Sequence, residues 1–222
     1  MKTREDWLAT AANGAIDVAS GQGMPKGFQC RWWIHREIRV FWERDIPRQT
    51  VDVVVEACQE RIAECGLPEF EFEIVGPHWS VDQQLVQCAR GREIDHDRFD
   101  DLCLREEWRD EDRGGRQHGD IVITRYELLD DPASWGVTGI RNGTILFGLH
   151  GKRPSNHSFL RKVALHEMGH LLGAAFHCDE TRHLSGYRYD PQCSMHYSCT
   201  GDTLCMKCKE FVRTWWRALG VI

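Results

Sequence analysis

The sequence predicts an α+β protein in which a mixed sheet lies over one long helix, with a small cysteine-rich region at the C-terminus. Three observations carry this expectation. A strand, helix, strand order occupies Arg31 to Gly76. The stretch FLRKVALHEMGHLLG, from Phe159 to Gly173, has helical character and carries two histidines four residues apart. Five of the ten cysteines, Cys178, Cys193, Cys199, Cys205 and Cys208, fall in the last fifth of the 222-residue chain.

Residues 1–27, rich in Gly, Ala and polar side chains, read as a loose lead-in. RWWIHREIRVFW, from Arg31 to Trp42, alternates and is aromatic and β-branched, which predicts a strand. Pro47 then opens a helical pattern that Gly66 stops, because proline suits a first turn and glycine suits the residue after the last. FEFEIVG from Phe70 alternates cleanly as a second strand, so the three form one crossover unit. From Ile94 to Gln117 charge dominates, which predicts a solvated helix followed by a surface loop. IVITRYEL from Ile121 begins with a continuous apolar run and reads as an internal strand. DDPASWG breaks the chain, and IRNGTILFGLH adds a further strand or hairpin around Asn142-Gly143. Ser155 or Asn156 can cap the long helix and Gly173 can end it. MKCKEFVRTWWRALG has helical spacing with an apolar face. The expected organisation is therefore residues 1–27, 28–177 with the sheet and long helix, and 178–222 with the crowded cysteines.

The composition, 41% hydrophobic and 28% charged, is ordinary for a globular protein. A net charge of -6 argues against nucleic acid or an anionic membrane as the main partner. No apolar run approaches the roughly 20 residues that cross a bilayer. The opening segment lacks a secretory pattern, so a cytoplasmic protein is expected. In a reducing compartment the crowded cysteines favour metal binding over disulfides. Cys30, Cys58, Cys65, Cys88 and Cys103 are scattered and read as buried small hydrophobes.

The chemistry sits in HEMGH. His166 and His170 project from one helix face about a turn apart, so both can ligate one Zn2+. Glu167 is then placed to reach a zinc-activated water as general base, with its proton passing later to the leaving amine. A catalytic zinc takes three protein ligands and keeps an open position, so a third ligand must come from beyond this pair.

Gly173 at the end of the helix and CSMHYS, a turn with Met195 two residues before Tyr197, resemble the metzincin family of zinc peptidases. Within that family the pattern is most similar to the archaemetzincins. His177-Cys178, Cys193-Ser194-Met195 and Cys205-Met206-Lys207-Cys208 follow that group's order, and the match covers about Phe159 to Cys208. The resemblance implies a zincin-like twisted mixed sheet over an active-site helix, with a small C-terminal cysteine-zinc subdomain. It implies a catalytic zinc, and a second, structural zinc on Cys178, Cys193, Cys205 and Cys208. Tyr197 matches a position where some metzincins carry a tyrosine beside the zinc, as a fifth ligand or an oxyanion donor.

Three spacings differ from the family pattern. Phe176 stands where the third histidine is expected, and His177 follows one residue late. The gap from Cys178 to Cys193 is longer, and that from Met195 to the C-x-x-C is shorter. His177 is the expected third ligand, with Asp179 behind it, and Cys199 is an alternative to Cys193 in the second site. The expected activity is zinc-dependent hydrolysis of peptide bonds in a peptide or protein substrate, received along the sheet edge. The alternative is a peptidase-fold binding protein with structural zinc and little or no turnover.

Overall fold

The computed structural model describes residues 33, 35–77, 85–103, 118–129, 134–139, 143–151, 156–174, 177–179, 190–198 and 201–222, with only the backbone for 100–103. The expected lead-in over residues 1–27 lies outside these.

Strand β1 spans Glu37–Trp42, with Ile38, Val40 and Trp42 buried in strict alternation. It is shorter than the expected run from Arg31. Arg36 adopts φ 53, a left-handed conformation that interrupts an extended chain just before Glu37. Helix α1 covers Arg48–Cys65. Pro47 caps it in an extended conformation, and Gly66 closes it at φ 68, its N–H turned back to Ala63 and Ile62 carbonyls. The chain returns as β2, Glu71–Pro77, parallel to β1, which completes the crossover.

Next come two short strands, β3 (Ala89–Arg90) and β4 (Glu93–Ile94), and helix α2, His96–Cys103. The helix lies in the acidic stretch yet buries Phe99 completely, so it is amphipathic rather than solvated all round. Residues 104–117, expected as a surface loop, lie outside the description.

Strand β5, Gly119–Thr124, is buried at all six positions, as its apolar run predicts for an internal strand. It runs parallel to both β1 and β8 (Thr144–Gly148). Between β5 and β8 come β6 (Glu127–Leu128), which pairs with β4, and β7 (Gly136–Gly139), which pairs antiparallel with β8. The expected break at DDPASWG thus ends in a strand. Four residues bounded by two glycines carry no alternating signal, so only the pairing with β8 makes them one. The main sheet has the order β2-β1-β5-β8-β7, a mixed sheet with β7 on one edge.

Two helices complete the fold, α3 (His157–Leu171) and α4 (Met206–Ala218). The Asn156 side chain accepts from the Phe159 N–H at the start of α3. Ile121, Ile123, Ile145 and Phe147 point to the side shared with α1, α3 and α4. Val122 and Leu146 point the other way, onto Leu85, Ile94 and Phe99. The period of two along β5 and β8 therefore builds two cores on opposite faces. Among the described residues no helix is long and apolar enough to cross a membrane.

Candidate active site and metal centres

Helix α3 is buried from Val163 to Gly169 with no solvent-facing stripe, because the sheet, α1 and the C-terminal segment enclose it. It delivers His166 and His170 to one place. His166 Nδ1 donates to the Ser194 carbonyl at 2.7 Å, and His170 Nδ1 donates to the Ala174 carbonyl at 2.7 Å. A carbonyl can only accept, so each Nδ1 carries the proton and each Nε2 presents a lone pair. These two Nε2 atoms stand 3.0 Å apart. Burial, with His170 beside it, pushes the His166 pKa down to about 3, so the ring is neutral and available as a ligand.

Beyond Gly173 the chain turns back and brings in His177. Its ring centroid lies 5.2 Å from that of His166 and 5.0 Å from that of His170. One nitrogen from each of the three rings falls within 4.8 Å of the others. Phe176 lies outside the described residues. Asp179 is engaged elsewhere: its Oδ1 accepts the Tyr197 N–H at 3.3 Å.

Glu167 is 6% exposed beside these rings. Thr138 Oγ1 on β7 lies 2.7 Å from its Oε2 and 3.0 Å from its carbonyl oxygen. Burial pushes the Glu167 pKa up to about 7, against the opposing hydrogen bond from Thr138. Gly136 makes the close approach of β7 possible, since a Cβ there would lie 2.7 Å from Glu167 Cγ.

Under the helix runs the turn Cys193-Ser194-Met195. Met195 packs against Gly169, where an added Cβ would stand 2.4 Å from its Sδ. Tyr197, two residues on, is 66% exposed, with its ring 5.2 Å from that of His177. His196 turns instead to Ser198, whose Oγ lies 2.8 Å from its Nδ1.

The second cluster joins Cys178, Cys193, Cys205 and Cys208, one sulfur each within 4.8 Å of the others. The Sγ separations are 3.7 Å for Cys178 to Cys205 and 3.7 Å for Cys193 to Cys208. Two thiolates on a tetrahedral zinc with bonds of about 2.3 Å stand about 3.8 Å apart, so this set is already at zinc-binding separation. Two imidazole nitrogens on zinc stand about 3.3 Å apart by the same geometry, close to the His166–His170 spacing. Both donor sets therefore fit zinc. Cys199 lies outside the described residues. Cys58, Cys65 and Cys88 are buried away from the cluster, and burial pushes the Cys58 thiol up to about 12, which keeps it inert.

No pattern in the sequence marks the roles of Thr138 and Gly136, and Gly169 is marked only as the glycine inside HEMGH.

A mixed sheet over a helix that brings three imidazoles around a buried glutamate, with four thiols beyond, defines a zincin-type architecture. No family model matches the sequence, and no curated protein matches it significantly. Solved structures do match. A zinc-dependent peptidase from Methanocorpusculum labreanum superposes with a TM-score of 0.52 at 18% identity, covering 79% of this chain and 99% of that one. An archaemetzincin from Methanopyrus kandleri gives a TM-score of 0.52 at 16% identity, covering 87% and 99%. The chain thus has an archaemetzincin-like fold.

Proposed function

We propose that the chain is a zinc-dependent metallopeptidase, with His166, His170 and His177 as catalytic zinc ligands and Glu167 as general base. The observation that carries this reading is the convergence of the three imidazoles beside a buried carboxylate that Thr138 holds in place. A second, structural zinc on Cys178, Cys193, Cys205 and Cys208 fits the sulfur spacings. The peptidase neighbours support the same reaction class.

Zinc bound by the imidazoles supplies a Lewis acid that polarises the scissile carbonyl and acidifies water. Glu167 takes the proton as the water oxygen joins the carbonyl carbon, and returns it to the amine nitrogen as the C–N bond breaks. Thr138 restricts the carboxylate to one orientation. Tyr197 donates its hydroxyl to the carbonyl oxygen as negative charge develops there. β7, on the sheet edge beside Glu167, receives the peptide as an added strand.

The test is cleavage of an unfolded protein and a fluorogenic peptide library by the zinc-loaded chain and by Glu167→Ala. Cleavage by the parent is expected to vanish in the variant while elemental analysis finds the same zinc content. Equal activity in both would overturn the assignment. A zinc-loaded parent that cleaves nothing would favour the binding-protein alternative.

A further inference from the structure

We propose that Arg61 is a positioning residue that ties the histidine cluster to the segment carrying the cysteine cluster, and so holds the histidine ligands in shape. This rests on the zinc reading above. Arg61 is 0% exposed, although it belongs to α1 and to neither donor set. Its Nε donates to the carbonyl of Leu165, the residue before His166, at 3.0 Å. Its Nη2 donates to Ser194 Oγ at 2.6 Å and reaches the Asp202 carbonyl at 3.4 Å. Ser194 is the junction: its carbonyl accepts the hydrogen bond from His166 Nδ1–H, and it stands between Cys193 and Met195.

The bridge extends to the other two thiols of the C-terminal segment. Arg61 Nη1 pairs with Glu64, which accepts the Leu204 N–H at 2.9 Å and Lys209 Nζ at 3.0 Å. Leu204 and Lys209 flank the segment that carries Cys205 and Cys208. One guanidinium therefore touches the backbone of the active-site helix and the methionine turn, and reaches the C-x-x-C segment through its partner. Only a planar fork with donors in three directions can do this; an ammonium cannot.

Charge supports the same assignment. A zinc with four thiolates keeps a net charge of about -2, which a buried site must offset. Burial pushes the Arg61 pKa down, and Glu64 first, then Cys65, Cys193 and Cys208 when ionised, oppose that by favouring its charge. Lys207, 2% exposed, donates from Nζ to the Cys178 carbonyl at 3.0 Å. Two deeply buried cations near these thiols, one of them shared with Glu64, suit an anionic cluster.

The test uses the full chain and metal ions as probes. Zinc affinity at the histidines is measured by chelator competition, and the d–d spectrum of Co2+ placed there reports ligand geometry. Thiolate-to-cobalt charge transfer reports the cysteine site separately. Arg61→Met is expected to weaken histidine-site zinc by about 10–100-fold and to alter the cobalt d–d bands, while the cysteine site still loads. Arg61→Lys keeps the charge but is not expected to restore the affinity; full restoration would overturn the bridging role in favour of charge alone. Should Arg61→Met not fold, Ser194→Ala decides, because it removes one arm of the bridge and no charge. It is expected to weaken histidine-site zinc several-fold, and parental affinity there would overturn the proposal. A parent that takes no metal at the histidines overturns the peptidase reading and this proposal together. A parent that binds it, with variants that match it, overturns the coupling alone.

Discussion

Gly136→Ala should impair the proposed catalysis without emptying the metal sites. A Cβ at Gly136 would stand 2.7 Å from Glu167 Cγ, 3.1 Å from Val163 Cγ1 and 3.2 Å from Glu167 Cδ. Carbon atoms pack at about 3.5–4.0 Å, so either Glu167 moves by about 1 Å or β7 lifts from α3 by as much. Gly136 is not among the glycines with positive φ, so the effect is steric and owes nothing to backbone strain. A displacement of about 1 Å at a catalytic group costs about 10²-fold in rate. Overpacking costs about 1–3 kcal/mol, equivalent to a Tm lower by roughly 2–12 °C in a chain of this size. The assay is kcat/KM on a peptide substrate, with zinc content and Tm recorded on the same preparation. The expected result is a fall of about 10²-fold in kcat/KM with zinc content unchanged, since the atoms nearest the added methyl belong to Glu167 and Val163. Parental turnover at a parental Tm would refute the close seating of β7 on Glu167. Zinc lost in step with activity would refute the assignment of the effect to Glu167.

Tyr197→Phe removes only a hydroxyl from an exposed ring, so kcat should fall by about 10²-fold with KM and Tm little changed; an unaltered kcat would show that the hydroxyl takes no part in the reaction. Gly173→Ala combines a φ of +107 with a Cβ 2.6 Å from Trp215 Cγ, and should cost at least about 2 kcal/mol, read as a lower Tm. A Tm equal to the parent's would show that the turn after α3 relaxes freely. Cys208→Ser takes one thiolate from the second cluster, so zinc per chain should fall from about two to about one and Tm should drop with it. Unchanged stoichiometry in that variant would mean that Cys208 is not needed to hold a metal.

Local patterns along the chain determined the element order around the site: the crossover unit from Glu37 to Pro77, the buried run of β5, and α3 with its Asn156 cap and Gly173 turn. They also determined that His166 and His170 share a face, because a spacing of four residues is set by helix geometry alone. That much is short-range chemistry, in which each residue's neighbours in sequence are its neighbours in space. The remainder depended on long-range packing. Thr138 lies 29 residues from Glu167, and a four-residue strand bounded by glycines gives no sign of it. Arg61 sits on the apolar stripe of α1 with Val51, Val54, Cys58 and Cys65, a visible anomaly, yet its partners lie 104 and 133 residues away. The sequence left His177 and Asp179 both open as the third donor. The path of the chain after Gly173 brings His177 to the other imidazoles and turns Asp179 toward the Tyr197 backbone. Sequence spacing can name the donors a helix presents, but only the folded chain determines which distant groups reach them, because contacts between elements depend on how whole faces pack.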